Sequence, residues 1–327
     1  MKKILRILLL GLLIFGAWLG YSLFSPLPPG AQKFVVLKPG SSTRTIAADL
    51  EREGVLRSAN AFLIVHLLRG KRTLKAGEYS FDQPADAFQV YDRLARGDVY
   101  FRIVIIPEGF NVFDVASALD SANLCKREDF LHMAQNDTAI ISDLDPQARS
   151  LEGYLFPDTY HFSRSQSPHE MAATMVKRFR QEANAIGLTH DIHRTVTLAS
   201  IVEKETALAS ERPLIAGVFE NRLAKHIGLA TDPSVIYAAL LAGRYRGTIH
   251  QSDLTFVSPY NTYRNVGLPP GPIANPGRAS LLAALHPVSS DFLYFVADNK
   301  GGHNFARTIA EHNRNVVAYR RGGTSTK

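Results

Sequence analysis

Hydrophobic and polar positions divide this chain unevenly. After Lys2, Lys3 and Arg6 comes an uncharged apolar run of 18 residues, 7–24. As a helix it spans about 27 Å at 1.5 Å per residue, enough to cross a hydrocarbon core. The basic flank predicts a cytoplasmic tail at residues 1–6, with everything after residue 24, Lys327 included, on the outer side. A cleaved signal peptide would have a shorter apolar region and a small-x-small site. Ser25-Pro-Leu-Pro-Pro-Gly30 offers no such site, so a retained single-pass anchor is expected, with residues 25–32 as a stiff spacer.

Beyond the spacer, strand and helix periods follow one another. Residues 34–42 read as a strand and turn, with Ser42 or Thr43 capping a helix whose apolar stripe is Ile46, Leu50 and Val55. Residues 59–68 repeat the helical period through Phe62, Ile64, Val65 and Leu68, and residues 77–81 close the unit as a strand. A short helix is predicted over 89–95, ended by Gly97, then a strand over 100–107 and a helix over 112–119. Residues 151–160 are aromatic-rich and broken by Gly153 and Pro157, which predicts an irregular surface segment. Helices follow over 171–186, 193–206, 213–223, 279–285 and 312–320. Residues 293–297 read as a strand buried on both faces. Residues 267–277 hold four prolines in eleven positions and are excluded from regular structure. The fold class is therefore α+β: an N-terminal transmembrane helix, a β-α-α-β subdomain and a larger mixed α/β domain.

Composition narrows the setting. The single cysteine, Cys125, excludes an intramolecular disulfide and a zinc site built on cysteines. The net charge is +7, of which Lys2, Lys3 and Arg6 supply three, leaving about +4 outside. That favours an acidic partner, such as cell-wall peptide carboxylates or anionic lipid head groups. Nucleic acid is not expected, because no basic-aromatic stripe appears. There is no phosphate-binding loop and no nucleophile elbow, and the spacing of His303 and His312 matches no metal-ligand motif. No metal or other cofactor is expected.

The candidate chemistry lies in Thr197-Leu-Ala-Ser-Ile-Val-Glu203-Lys-Glu205-Thr206, an apolar run that ends in two carboxylates. On a helix, Glu203 and Glu205 are about 200° apart and cannot share one site. Glu203, directly after Ile201 and Val202, is read as a half-buried acid that keeps its proton, and Glu205, beside Lys204, as the more solvated of the two. A two-carboxylate hydrolase would need a second acid from elsewhere, with Asp232, Asp253 and Glu152 available. Asp232 precedes a proline at a helix start and also fits an N-cap. Tyr260-Asn-Thr-Tyr263 offers two phenols and an amide, groups that suit a glycan cleft. Gly301-Gly-His303-Asn304 reads as a tight turn that presents His303 and Asn304.

Several ordered motifs together are similar to those of the endolytic murein transglycosylase (YceG-like) family. They are Ile106-Pro-Glu-Gly109, Glu152-Gly-Tyr-Leu-Phe-Pro-Asp158, Ala199-Ser-Ile-Val-Glu-Lys-Glu-Thr206, Phe219-Glu-Asn-Arg-Leu223, Thr231-Asp-Pro-Ser-Val-Ile-Tyr237, Tyr260-Asn-Thr-Tyr263, Gly267-Leu-Pro-Pro-Gly271, Leu293-Tyr-Phe-Val-Ala297 and Gly301-Gly-His303. The resemblance implies an inner-membrane enzyme with the anchor at 7–24, a LysM-like glycan-binding subdomain at 33–100 and a catalytic domain at 101–321, the latter two periplasmic. Its substrate would be peptidoglycan glycan strands, cut within the strand to leave 1,6-anhydromuramyl ends, and contact with membrane peptidoglycan synthases (penicillin-binding proteins) would follow. Matched by motif, the catalytic residue is Glu203. The substrate-binding set is Glu205, Asp232, Tyr260, Asn261, Tyr263, His303 and Asn304. Two other readings are a hydrolytic muramidase and a membrane-tethered glycan-binding scaffold of wall synthesis.

Overall fold

The structure is a computed structural model that describes residues 2–27 and 31–322. Pro28, Pro29 and Gly30 of the spacer, Met1 of the tail and residues 323–327 lie outside the described residues. The chain divides into two compact units.

The first unit holds residues 1–103 with two short returns, 122–124 and 161–167. Helix α1 (Lys2–Phe24) is long and apolar enough to cross a membrane, and its large side chains are exposed from Ile4 to Phe15. Its last turn buries one face only, with Tyr21 and Phe24 still exposed. Leu19 and Leu23 join the unit's core, and Arg57 lies 4.5 Å over the Tyr21 ring while donating to the carbonyls of Ser25 and Pro26. Strand β1 (Lys33–Leu37) is followed by α2 (Thr43–Arg52), α3 (Ala59–Leu68) and β2 (Gly77–Phe81), and β1 and β2 pair antiparallel. Ser42 caps α2 by accepting from the Thr45 N–H. Val55 lies past the end of α2 but is still buried in the same core. Helix α4 (Ala87–Arg96) begins with a capping box from Asp86 and Gln89 and ends at Gly97, whose φ of 79° only glycine adopts freely. Strand β2 buries a glutamate, Glu78, which Arg102 and Arg164 neutralise at 2.9 and 3.4 Å.

Strand β3 (Arg102–Ile106) leads into the second unit. There α5 (Val112–Ser121), α6 (Arg127–Asn136) and β4 (Asp158–Phe162) precede a long helix, α7 (Pro168–Ala185), and β4 pairs with β3. Helix α8 (Ile192–Glu205) is central: its residues 195–202 are all buried, with α9 (Arg212–Ala224), α10 (Asp232–Leu241) and α12 (Arg278–Leu285) packed around it. A short helix α11 (Gln251–Leu254) follows α10. Strands β5 (Tyr294–Ala297) and β6 (His303–Ala306) form an antiparallel hairpin, and α13 (Ile309–Gly322) packs on it.

Three sequence expectations change here. Residues 151–156 are not surface: all are buried. Their irregular backbone is tolerated because one side chain, Asn275, accepts from the Gly153 and Leu155 N–H groups at 2.9 Å each. Strand β5 is half-buried rather than covered on both faces, because it belongs to a two-stranded hairpin. Gly301 and Gly302 make the expected turn, but His303 and Asn304 are the first residues of the second strand of that hairpin rather than part of a loop. The proline-rich segment 267–277 is irregular as expected, and residues 271–277 are buried.

Candidate active site

Helix α8 delivers both carboxylates to its C-terminal end, and their surroundings differ. The Glu203 side chain is 4% exposed. Its Oε1 accepts from Arg212 Nη2 at 2.8 Å and its Oε2 from the backbone N–H of Gly277 at 2.9 Å. Arg212, on the first turn of α9, also lies 3.5 Å from Glu108. A Cβ at Gly277 would come within 1.9 Å of a Glu108 carboxylate oxygen, so a larger residue there would displace that half-exposed side chain from Arg212. Glu203 is therefore buried as expected, but among donors on both oxygens. It closes a polar knot between α8, α9 and the N-terminus of α12.

Glu205, on the opposite side of the helix, lines a cleft of about 350 Å³. The expectation that Glu205 is the solvated partner is overturned. Side chains from α9, α10, β5 and α13 close around it, and burial, helped by the charge of Asp232, pushes its carboxyl group up to about 7, with Arg222 pulling the other way. Lys204 is exposed and turns away to donate to the Gly109 carbonyl. Asp232 is the first residue of α10, whose cap is Thr231. One Asp232 oxygen accepts from the Tyr263 hydroxyl at 2.6 Å, so both residues enter the cleft as a pair. Phe219, Tyr294 and Phe295 supply aromatic wall.

The remaining expected site residues lie elsewhere. Asn261 is fully buried. Its amide donates to the carbonyls of Leu254 and Phe256, and its oxygen accepts from the Tyr263 N–H, so it shapes the loop that carries Tyr263. Tyr260 packs against Tyr237, with ring centroids 5.1 Å apart and the planes tilted by 59°, and does not line the cleft. His303 is held by Glu211, which faces its Nδ1 at 2.6 Å and accepts its backbone N–H at 2.9 Å. Asn304 is exposed opposite Val296 in the hairpin. Asp253 closes the N-terminal turn of α11 and pairs with Arg244.

A model of the YceG-like family matches residues 35–318. A Bacillus subtilis protein named endolytic murein transglycosylase is 33% identical over 94% of this chain and 91% of its own length. A Streptococcus pneumoniae protein of the same name is 30% identical over 95% of this chain, which spans 63% of that relative's length. The crystal structure of a yceG-like protein from Listeria monocytogenes superposes with a TM-score of 0.57 at 34% identity, covering 86% of this chain and 98% of that one. The chain belongs to the YceG-like family.

Segments that carried the YceG-like resemblance meet at two places. One is the cleft, where Arg222, Tyr294, Phe295 and His312 join Glu205. Sequence reading did not select these four as site residues, although the first three lie within matched motifs. The other is a buried node around Glu152. Glu152 is 1% exposed, accepts from the Val112 N–H at 3.0 Å and from Asn275 Nδ2 at 3.2 Å, and bonds the Tyr237 hydroxyl. Burial pushes its carboxyl group up to about 8. Unfolded, the group ionises near 4.5, so between about pH 4.5 and 8 the folded state holds a proton the unfolded state has released. Stability therefore falls as pH rises through that window, by on the order of 5 kcal/mol. Glu152→Gln removes this loss. Relative to wild type, the variant is expected to gain stability between pH 5 and pH 9 in urea unfolding. The same stability difference at both pH values would contradict it.

Proposed function

We propose that this chain is a membrane-anchored endolytic murein transglycosylase in which Glu205 is the acid and then the base. The observation that carries the reading is Glu205 itself, a carboxyl group raised to about 7 at the wall of an aromatic-lined cleft. A raised carboxyl group is half protonated near neutral pH, the poise general acid–base catalysis requires. The two relatives that share most of this chain carry that name. In the proposed reaction the Glu205 proton goes to the glycosidic oxygen as its bond to the muramyl C1 breaks. The resulting carboxylate then takes the proton of the muramyl 6-hydroxyl, whose oxygen bonds to C1. No water is consumed, and the intramolecular nucleophile keeps the second step favourable in entropy.

The rest of the proposal follows the chain. Helix α1 is the anchor, with Lys2, Lys3 and Arg6 on the cytoplasmic side. The β1-α2-α3-β2 unit acts as a LysM-like module that holds glycan, and the enzyme works beside peptidoglycan synthases. Glu203 has a structural role, holding Arg212 and the Gly277 turn.

A hydrolytic muramidase is the second reading, favoured by the presence of Asp232 in the same cleft. Its two-carboxylate mechanism would leave reducing ends.

Because Glu205 must start protonated, kcat/KM is expected to fall about tenfold per pH unit above about pH 7. Asp232 raises the carboxyl group by like-charge repulsion. Asp232→Asn should therefore move the alkaline limb of the kcat/KM profile to lower pH. A limb that stays in place or moves upward would contradict the assignment.

A further inference from the structure

The cleft wall facing Glu205 carries polar atoms that the reaction above does not use. Arg222, on α9, spends Nη1 on the Leu229 carbonyl at 2.7 Å and lies 5.3 Å over the Tyr294 ring. His312, on α13, stacks on the same ring with centroids 5.3 Å apart and an interplanar angle of 28°. Both side chains line the cleft. Arg222 Nε and His312 Nδ1 are buried and have no hydrogen-bond partner among the described residues. Leaving such a group unpaired is unfavourable, and two beside one ring call for a ligand that satisfies both.

The chemistry of that ligand follows from the atoms. Arg222 Nε is a donor only. Burial and the nearby Arg222 charge lower the affinity of His312 for a proton, so the imidazole is neutral and its Nδ1 is free to accept. A trans amide presents an acceptor on one edge and a donor on the opposite edge, so one lying between Arg222 and His312 meets both, and the acetyl methyl suits the Phe219, Leu229 and Phe295 part of the wall. A free amine presents an ammonium group, which has no acceptor for Arg222 and is repelled by it.

We propose that Arg222 and His312 form a subsite for the 2-acetamido group of the bound sugar. Arg222 Nε–H donates to the acetamido carbonyl and His312 Nδ1 accepts from the acetamido N–H, so the cleft selects N-acetylated over de-N-acetylated glycan. The inference rests on the proposed glycan-cleaving role of the cleft, and it adds the feature of the sugar that is read.

The test is calorimetric binding to the full chain in detergent, in a Glu205→Gln background, using murein oligosaccharides, their de-N-acetylated form and the same material re-acetylated. The acetylated and re-acetylated forms are expected to bind at least about tenfold more tightly than the free amine. His312→Ala is expected to weaken binding of the acetylated form about tenfold and leave the de-N-acetylated form unchanged. Arg222→Lys should do the same, and His312→Asn, which keeps an acceptor, should recover part of the loss. Melting curves on each variant register any loss of fold, and the His312 variants leave the Leu229 contact of Arg222 intact. Equal affinity for the two glycans, or equal loss on both in the variants, would overturn the subsite. Cleavage by Glu205→Gln, read separately, would count against the catalytic assignment and leave the affinity ratio as the measure of the subsite.

Discussion

Glu205→Gln is expected to lower strand cleavage by about 10²–10⁴, at the upper end of what general acid–base help supplies, because the same group acts in both half-reactions. Glutamine keeps the shape of the side chain but neither delivers nor accepts the proton. The companion expectation is that Glu203→Gln stays within about tenfold of wild type. Glu203 lies about 200° around α8, its oxygens already engaged by Arg212 and the Gly277 N–H, and it does not line the cleft. Single-turnover cleavage of purified glycan strands measures both. Parity between Glu205→Gln and wild type, with a dead Glu203→Gln, would reverse the assignment.

The largest expected effect on stability lies at that second carboxylate. Arg212 is 7% exposed and Glu203 is 4% exposed, so neither charge has water to fall back on. Glu203→Ala leaves the guanidinium with Glu108 at 3.5 Å as its remaining carboxylate, itself half exposed. Removing one partner of a buried pair costs about 3–5 kcal/mol, and most of that is the stranded charge. Replacing both residues, Glu203→Met with Arg212→Met, should recover much of the loss. Urea unfolding of the two single variants and the double variant reads the coupling directly. Additive losses would show that the pair is not the unit of stability described here.

Local pattern carried much of the fold. The period of apolar residues placed α3 and β2 at their observed bounds and put Gly97 at the end of α4. The same helical geometry separated Glu203 from Glu205. Which of them faces a cleft was not legible, because the walls come from α9, α10, β5 and α13, well beyond the motif. Lys204 pointed the wrong way: it is exposed, yet the residue after it is closed over. Residues 151–156 read as surface because glycine and proline break the pattern. Their burial depends on Asn275, more than a hundred residues later, which satisfies their backbone donors. Asn261 was expected to offer its amide to a glycan, but its partners are backbone carbonyls of its own loop. Helix α6 passed unnoticed because its only buried side chains are Phe130 and Ala134. Arg222 and His312 sit on α9 and α13, for which the apolar period predicts only helices, with no site residue on α9 and none on α13 beyond the unmatched His312 spacing. Only the tertiary packing brings them to one tyrosine ring.

The most direct test of the central claim is the mass of the new ends. Glycan strands digested by the purified full chain are analysed for the muramyl terminus. A single carboxyl group acting as acid and then base, with the 6-hydroxyl as nucleophile, yields ends one water lighter than a hydrolytic cut and incorporates no label from ¹⁸O water. Wild type is expected to give only these anhydro ends, and Glu205→Gln none. Reducing ends that carry ¹⁸O from wild type, or anhydro ends persisting in Glu205→Gln, would contradict the account.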